Sequence, residues 1–175
     1  MSPSKRSIHV LLPVHRPVKA VFFQDSSLKQ IRLMYIAVKN FHSLVALLSL
    51  LLLLASVFYN SYGWATRKPF SKTNKLMALL GLIAVHTQFL IGLLLYFVSP
   101  LGLSNFSGEA MKNSVSRLYI LEHPLVMIIA LVLITAGYSK LKQPSADALK
   151  FKRVVILYSL GLILILSRIP WSMWL

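Results

Sequence analysis

Cysteine is absent from this chain, and acidic residues number only four among its 175 positions. Without cysteine the chain cannot form a disulfide, a thiolate metal site, an iron–sulfur cluster held by cysteine, or a covalent haem linkage through cysteine. Charged residues of both signs make up 13% of the chain, against about 25% in soluble domains. So few carboxylates disfavour an active site built on paired acids; the four are Asp25, Glu109, Glu122 and Asp147.

Basic residues dominate the charge that is present, since 19 Lys and Arg give a formal net charge of +15. They lie mainly in the short segments beside apolar stretches, where the positive-inside rule of membrane topology accounts for them. We therefore expect no nucleic-acid partner. Hydrophobic residues reach 57% of the chain, which is typical of an integral membrane protein.

Four apolar segments are long enough to cross a bilayer, which takes about 20 helical residues. Short polar connections join them, so neighbouring helices should run antiparallel. The sequence therefore predicts an all-α fold, a transmembrane up-and-down four-helix bundle surrounded by lipid. The predicted spans are roughly 36–59, 76–98, 118–138 and 154–171.

The distribution of Lys and Arg predicts the orientation of these spans. The connections after the first and third spans hold four and five basic residues, against two in the middle connection, so we expect them to face the cytoplasm, with both termini outside. The basic segment 1–33 conflicts with export, and two explanations remain open: translation begins at Met34, or 1–33 is a poorly ordered basic tail. In either case 34–175 should form the membrane domain.

The first span carries polar and small residues at a spacing of seven. His42, Ser49, Ser56 and Gly63 follow one another at this interval, and Asn60 falls on the same stripe. Seven residues make nearly two turns of an α-helix, so these side chains share one narrow face. Polar groups in a membrane helix usually face the bundle interior, and we predict that this stripe is the inward face.

The third span repeats the pattern, with His123, Ala130 and Gly137 again seven apart. A histidine at the head of a small-residue column therefore occurs twice. Pro124 follows His123 directly, and because proline has no N–H, the carbonyl of Ile120 should lack its usual intrahelical donor.

The second span contains two polar side chains that cannot both face the bundle axis. Gln88 shares a broad face with Gly81 and Gly92, whereas His86 lies on nearly the opposite side of the helix. Either His86 faces a site and Gln88 bonds a neighbouring helix, or the reverse.

Three histidines on three different spans point to a haem. Neutral imidazole is a strong iron ligand, and a transmembrane four-helix bundle can hold b-type haem between two of His42, His86 and His123. We rank His86 first, because it lies deepest, where an ionisable side chain without a role costs most. Arg168, inside the fourth span, would neutralise a haem propionate or pair with Glu122, which lies at the same depth.

The four spans carry the segments "FHSLVALLSLLLLLASVFYNSYGW", "HTQFLIGLLLYFVSP", "RLYILEHPLVMIIALVLITAGYSK" and "RVVILYSLGLILILSRIPWSMW". Together they resemble a family of small bacterial four-helix membrane proteins labelled cytochrome b, over roughly 34–174. The family's histidines map onto His42, His86 and His123. The resemblance implies haem b, electron transfer to or from a quinone or a respiratory partner complex, and the bacterial inner membrane.

Two other readings of the same residues remain open. A non-catalytic membrane subunit or assembly factor would use its polar side chains only to hold helices together and would bind no cofactor. A small transporter of metal ions or protons would line a path with its histidines. With four spans it would need to oligomerise, and the sequence shows no inverted repeat.

Overall fold

The computed structural model of the chain describes the backbone of residues 18–174 and the side chains of residues 27–172 and Trp174. This part is helical throughout apart from the connections, and it contains no strand. The α-helices are α1 (Val18–Ala65), α2 (Lys72–Val98), α3 (Gly108–Lys112), α4 (Ser114–Arg117), α5 (His123–Ser139), α6 (Asp147–Ser167) and α7 (Trp171–Trp174). Two 3-10 turns, Leu103–Asn105 and Lys140–Lys142, and a π-helical turn, Leu118–Glu122, complete the set.

The chain divides into two units, Met1–Met34 and Tyr35–Leu175. The prediction for 1–33 falls partly on 1–17, which lie outside the described residues, and the described remainder of that segment is helical. The second unit contains the rest of α1 and all the other helices.

Among the described residues, three helical stretches are long and apolar enough to cross a membrane: Ser27–Ala65, Lys72–Val98 and Ser114–Lys142. Their outer faces carry large apolar side chains in the open, such as Leu44 and Phe58 of α1, which are 66% and 69% exposed. Contiguous apolar surface of this extent is unfavourable in water. The chain is therefore a membrane protein whose helices suit contact with lipid.

The fourth apolar segment differs from its predicted bounds. Helix α6 begins at Asp147 and ends at Ser167, so the predicted span 154–171 is not one continuous helix. Pro170 explains the early end, because proline disfavours the helical conformation of the residue before it and cannot donate to the helix. The apolar part, 154–167, is about 21 Å long at 1.5 Å per residue.

Helices α1 and α2 pack antiparallel through the stripe that the sequence places inward. Ser49 Oγ donates to the carbonyl of Ala84 at 3.0 Å, and Asn74 Nδ2 donates to Asn60 Oδ1 at 3.4 Å. Ser49, Ser56 and Asn60 are buried, so the prediction of an inward polar face on the first span is confirmed.

Helices α5 and α6 approach closely because small residues lie between them. A methyl group added at Gly161 would stand 2.8 Å from Ile134 Cγ1 and 3.3 Å from the carbonyl of Ala130. One added at Gly137 would stand 3.1 Å from the ring of Tyr158. Ala130 and Gly137 are buried, so the small-residue column of the third span faces inward as predicted.

Tyr158 carries this packing on to α2 and α1. Its hydroxyl donates to the carbonyl of Ala78 at 2.8 Å, and its ring lies 3.3 Å from where a methyl group at Gly81 would stand. Leu53 of α1 closes the same cluster. The core therefore lies where four helices meet, and it is assembled around one buried tyrosine.

We predict that Gly161→Leu lowers the free energy of unfolding by at least about 1–3 kcal/mol, the usual cost of overpacking a core, because α5 has no room for the added side chain. Reversible unfolding with sodium dodecyl sulfate in mixed micelles, followed by circular dichroism, measures this change. Gly108→Leu is the matched control, since nothing lies within 4 Å of a methyl group at Gly108. Equal stability of the two variants would contradict the close packing of α5 on α6.

Candidate functional site

His42 is held against α2 by Gln88. The side-chain nitrogen of Gln88 donates to the backbone carbonyl of His42 at 3.0 Å and lies 3.1 and 3.2 Å from the two ring nitrogens. A methyl group at Gly92 would stand 3.0 Å from His42 Cε1, so only glycine leaves space for the ring there. Of the two arrangements left open by the sequence, Gln88 is the residue that bonds the neighbouring helix.

The Gln88 amide is not fully satisfied. It has two N–H groups, one for the carbonyl of His42 and one for a single ring nitrogen. Its Oε1 is buried and has no hydrogen-bond partner among the described residues. A buried unpaired acceptor of this kind costs about 1–3 kcal/mol, which marks the contact between His42 and Gln88 as incompletely matched.

His123, at the start of α5, is fixed by the end of α6. Its Nδ1 lies 2.8 Å from the carbonyl oxygen of Arg168. Since a carbonyl only accepts, Nδ1 carries the proton and Nε2 keeps its lone pair. Metal-ligating histidines usually have their second ring nitrogen anchored in this way.

His86 makes a similar bond within its own helix, where its Nδ1 lies 2.9 Å from the carbonyl of Leu82. The ring is half-buried. Because the partner lies one turn earlier on α2, this bond fixes the ring against its own backbone and ties α2 to no other helix.

The structure places His42 and His123 towards the same end of α2 and leaves His86 deeper along that helix. His42 contacts Gln88 and Gly92 of α2. Tyr96 contacts Ile120 and so sets the register of α2 against α5. His86 lies ten residues below Tyr96 and His123 three below Ile120, so the two differ in depth by about 10 Å.

A π-helical turn, Leu118–Glu122, precedes α5, and the N–H of His123 bonds the carbonyl of Leu118. Pro124 has no N–H for the carbonyl of Ile120, as the sequence predicts. The hydroxyl of Tyr96 supplies the missing donor at 3.0 Å. Sequence reasoning identified the free carbonyl but not its partner, because the partner lies on another helix.

Glu122 lies between two arginines. Its Oε1 accepts from Arg117 Nε at 2.8 Å, and its Oε2 lies 3.5 Å from Arg168 Nε. The predicted pairing of Glu122 with Arg168 is present, but Arg117 is the nearer partner, and sequence reasoning assigned it only to a connection. An open pocket of about 320 Å³ adjoins these groups and is lined by Ser114, Val115, Arg117, Leu118, Glu122, Ser167, Arg168 and Ile169.

The described residues contain no group of three or more His, Cys, Asp or Glu side chains that could hold a metal ion. A haem needs only two axial ligands, so this finding bears on non-haem metal sites alone. Comparison of the chain with protein-family models, with curated proteins and with solved structures finds no match.

We predict that Tyr96→Phe lowers the free energy of unfolding by about 1–3 kcal/mol, because it leaves the buried carbonyl of Ile120 without a donor. In a Pro124→Ala background the cost should be smaller, since the alanine restores an intrahelical N–H. A double-mutant cycle from denaturant unfolding in mixed micelles measures the coupling.

Tyr59→Phe serves as the control for that cycle, because Tyr59 is 41% exposed and its loss should change stability little. Additive effects of Tyr96→Phe and Pro124→Ala would show that the tyrosine hydroxyl does not compensate for the proline.

Proposed function

We propose that this protein is an integral membrane, b-type cytochrome-like protein that binds haem b between His42 and His123 and transfers electrons to or from a quinone or a partner complex. The observation that carries the proposal is the placement of two imidazoles, one from α1 and one from α5, at similar depth near one end of the helices: His42 contacts Gly92 of α2, and His123 lies one turn after Ile120, whose carbonyl bonds Tyr96 of α2. His123 already has its Nδ1 proton anchored on the carbonyl of Arg168 at 2.8 Å.

The donor chemistry at this position suits haem iron. Nε2 of His123 is unprotonated and free to ligate, as a neutral imidazole ligand must be. His42 offers a second imidazole, whose ring packs against Gly92 of α2. For His42 to ligate, the Gln88 amide nitrogen must leave the ligating ring nitrogen and keep its bond to the His42 carbonyl.

The charges at the same end suit a haem with propionate groups. Arg117 and Arg168 both approach Glu122, and Arg168 is exposed beside the carbonyl that anchors His123. A guanidinium that already pairs with a carboxylate can pair with a propionate by the same geometry. In this arrangement Arg168 neutralises a propionate through its side chain and orients His123 through its backbone.

Bound haem would supply one-electron chemistry, and the chain would set the conditions for it. The two imidazoles hold the iron, and the anchored Nδ1–H of His123 increases the basicity of its Nε2. The apolar side chains of α1, α2 and α5 would limit the access of water to the haem, so the reduction potential of the iron would depend on its two ligands.

We infer that α6 completes a transmembrane four-helix bundle. It packs on α5 along a face with Gly161 and Tyr158, and its amino-terminal turns carry Lys150, Lys152 and Arg153, residues suited to a headgroup layer. Trp171 follows its other end, as interfacial aromatic residues do. The distribution of basic residues supports an orientation with both termini outside, in the inner membrane of a bacterium.

The test is a reduced-minus-oxidised visible spectrum of the detergent-purified protein, with a pyridine haemochrome assay for stoichiometry. We predict a sharp α-band and about one haem per chain. His42→Ala and His123→Ala should each abolish or strongly reduce haem content, whereas His86→Ala should retain it, since His86 lies about 10 Å deeper along the helices than His123.

Loss of haem in His86→Ala with retention in His42→Ala would reassign the axial pair. A colourless, folded protein purified from cells supplied with haem would refute the haem proposal.

A second candidate function rests on a specific observation. His42 and His123 each have a partner on a neighbouring helix, namely Gln88 and the carbonyl of Arg168. A non-catalytic membrane subunit needs no more than such bonds to hold α1 to α2 and α5 to α6. In that case His42→Ala would lower stability without any change in an absorption spectrum.

A further inference from the structure

We propose that the end of the molecule formed by the connection after α1 and the connection before α6 is a binding surface for anionic phospholipid headgroups. We call it the cationic face. It lies opposite the end that holds His42 and His123, and the inference does not depend on haem. Its basic residues are Arg67, Lys68, Lys72, Lys75, Lys140, Lys142, Lys150, Lys152 and Arg153.

The structure shows that these two connections, far apart in sequence, form one surface. The backbone of Phe70 approaches the carboxylate of Asp147 at the start of α6. The rings of Phe70 and Phe151 meet edge to face, with centroids 5.0 Å apart. Lys150 Nζ lies 5.8 Å from the centre of the Phe70 ring. The basic residues of both connections therefore act on the same region of solvent or lipid.

Among the described residues, Asp147 is the only acid on this face, and its charge is balanced by an ion pair. Asp147 accepts from Lys150 Nζ at 2.9 Å. The hydrogen bond from the Lys150 ammonium, and after it the nearby backbone N–H of Phe70, hold the pKa of Asp147 below its usual range. The carboxylate therefore stays ionised and paired at neutral pH. It offers no charge to offset the remaining cations.

Two of the remaining cations, Arg153 and Lys68, have contacts that fix the face. Arg153 NH1 donates to the carbonyl of Lys140 at 2.9 Å and to Ser145 Oγ at 3.3 Å, which closes the turn before α6. Lys68 Nζ lies 4.7 Å above the ring of Tyr62. The side chains left exposed, with no ion pair among the described residues, are Arg67, Lys72, Lys75, Lys140, Lys142 and Lys152.

Lipid headgroups fit this face better than a soluble acidic protein does. Lys72 and Lys75 lie in the first turn of α2, and Lys152 lies in the second turn of α6, directly before apolar segments. This is the depth at which headgroup phosphates lie when such helices are in a membrane. Each Lys or Arg near an anionic membrane surface strengthens association about five-fold. The cationic face carries six such exposed residues.

Trp64 lies in the last turn of α1, beside the connection that follows it, and is 36% exposed. Its fluorescence therefore reports on lipid bound at this face. The probe is the quenching of Trp64 by brominated phosphatidylglycerol or brominated phosphatidylcholine in mixed vesicles containing the full-length protein. Trp171→Phe and Trp174→Phe remove the other two tryptophans, since the chain has three. The ratio of the two quenching curves gives the relative binding constant of the anionic lipid.

We expect a ratio above about five at low salt that falls toward one in about 0.5 M NaCl, where the screening length is only a few ångströms. A variant with Lys72, Lys75, Lys140 and Lys142 changed to Gln removes four of the six exposed cations and should lower the low-salt ratio by a factor of about five or more. Lys112→Gln is the matched control, because Lys112 lies on the connection at the other end and pairs with Glu109 at 3.8 Å. It should leave the ratio unchanged.

A ratio of one for the unmodified chain overturns the proposal, as does a high ratio that survives the four substitutions. If inorganic phosphate lowers the ratio more than chloride of equal ionic strength, the face binds free phosphate rather than lipid. A ratio of one together with binding of polyglutamate to the cationic face would make it a docking site for an acidic protein, and the lipid proposal would be wrong.

Discussion

Side chains that reach a backbone carbonyl on a neighbouring helix hold this molecule together. In a helix interior each carbonyl already accepts one backbone N–H, but its second lone pair is free, and in lipid no water competes for it. Such bonds are worth only about 0.6–2 kcal/mol each in membrane proteins, so their value lies in fixing register. Such bonds among the long helices join Ser49 to Ala84, Tyr158 to Ala78, Tyr96 to Ile120, Gln88 to His42, and His123 to Arg168.

These bonds require helices that approach closely, and small residues make the approach possible. Gly81 stands between Ser56 and Tyr158, and Gly161 stands against Ile134. At either position even a methyl group would press on a neighbouring side chain. Dispersion contacts and hydrogen bonds, rather than expulsion of water, favour association of helices within lipid, and both weaken quickly with distance. A column of small residues is thus the condition for each polar bond beside it.

The two ends of the molecule carry different chemistry. His42, His123 and the carboxylate of Glu122, which pairs with two arginines, lie towards one end. The cationic face lies at the other end, and Asp147 is the only acid there among the described residues. The buried tyrosine Tyr158 and the stripe from Ser49 to Asn60 lie between them. The proposed haem site therefore lies towards one end of the helices and the proposed lipid-headgroup contacts lie at the other. A packed core separates the two.

Much of this arrangement follows from the sequence, because periodicity alone decides which residues share a helix face. The seven-residue spacing of Ser49 and Ser56 predicts their burial correctly, and the same spacing predicts it for Ala130 and Gly137. Pro124 predicts an unpaired carbonyl at Ile120 from covalent chemistry. The fourth helix was misjudged at its end, since a count of apolar residues does not register that Pro170 stops the helix at Ser167.

Contacts between helices required the tertiary structure. The sequence could not choose between Gln88 and His86 as the residue that faces α1, because a helix has two sides and only a neighbour's position decides which is inward. Nor could it identify Tyr96 as the donor for Ile120, or place His42 and His123 at similar depth along α2 with His86 deeper. By itself the sequence determined the helices, their apolar surfaces and their polar stripes, since these depend on composition and local spacing. Only the tertiary structure decided the register between helices, because register is set by a few short-range contacts between residues distant in the chain.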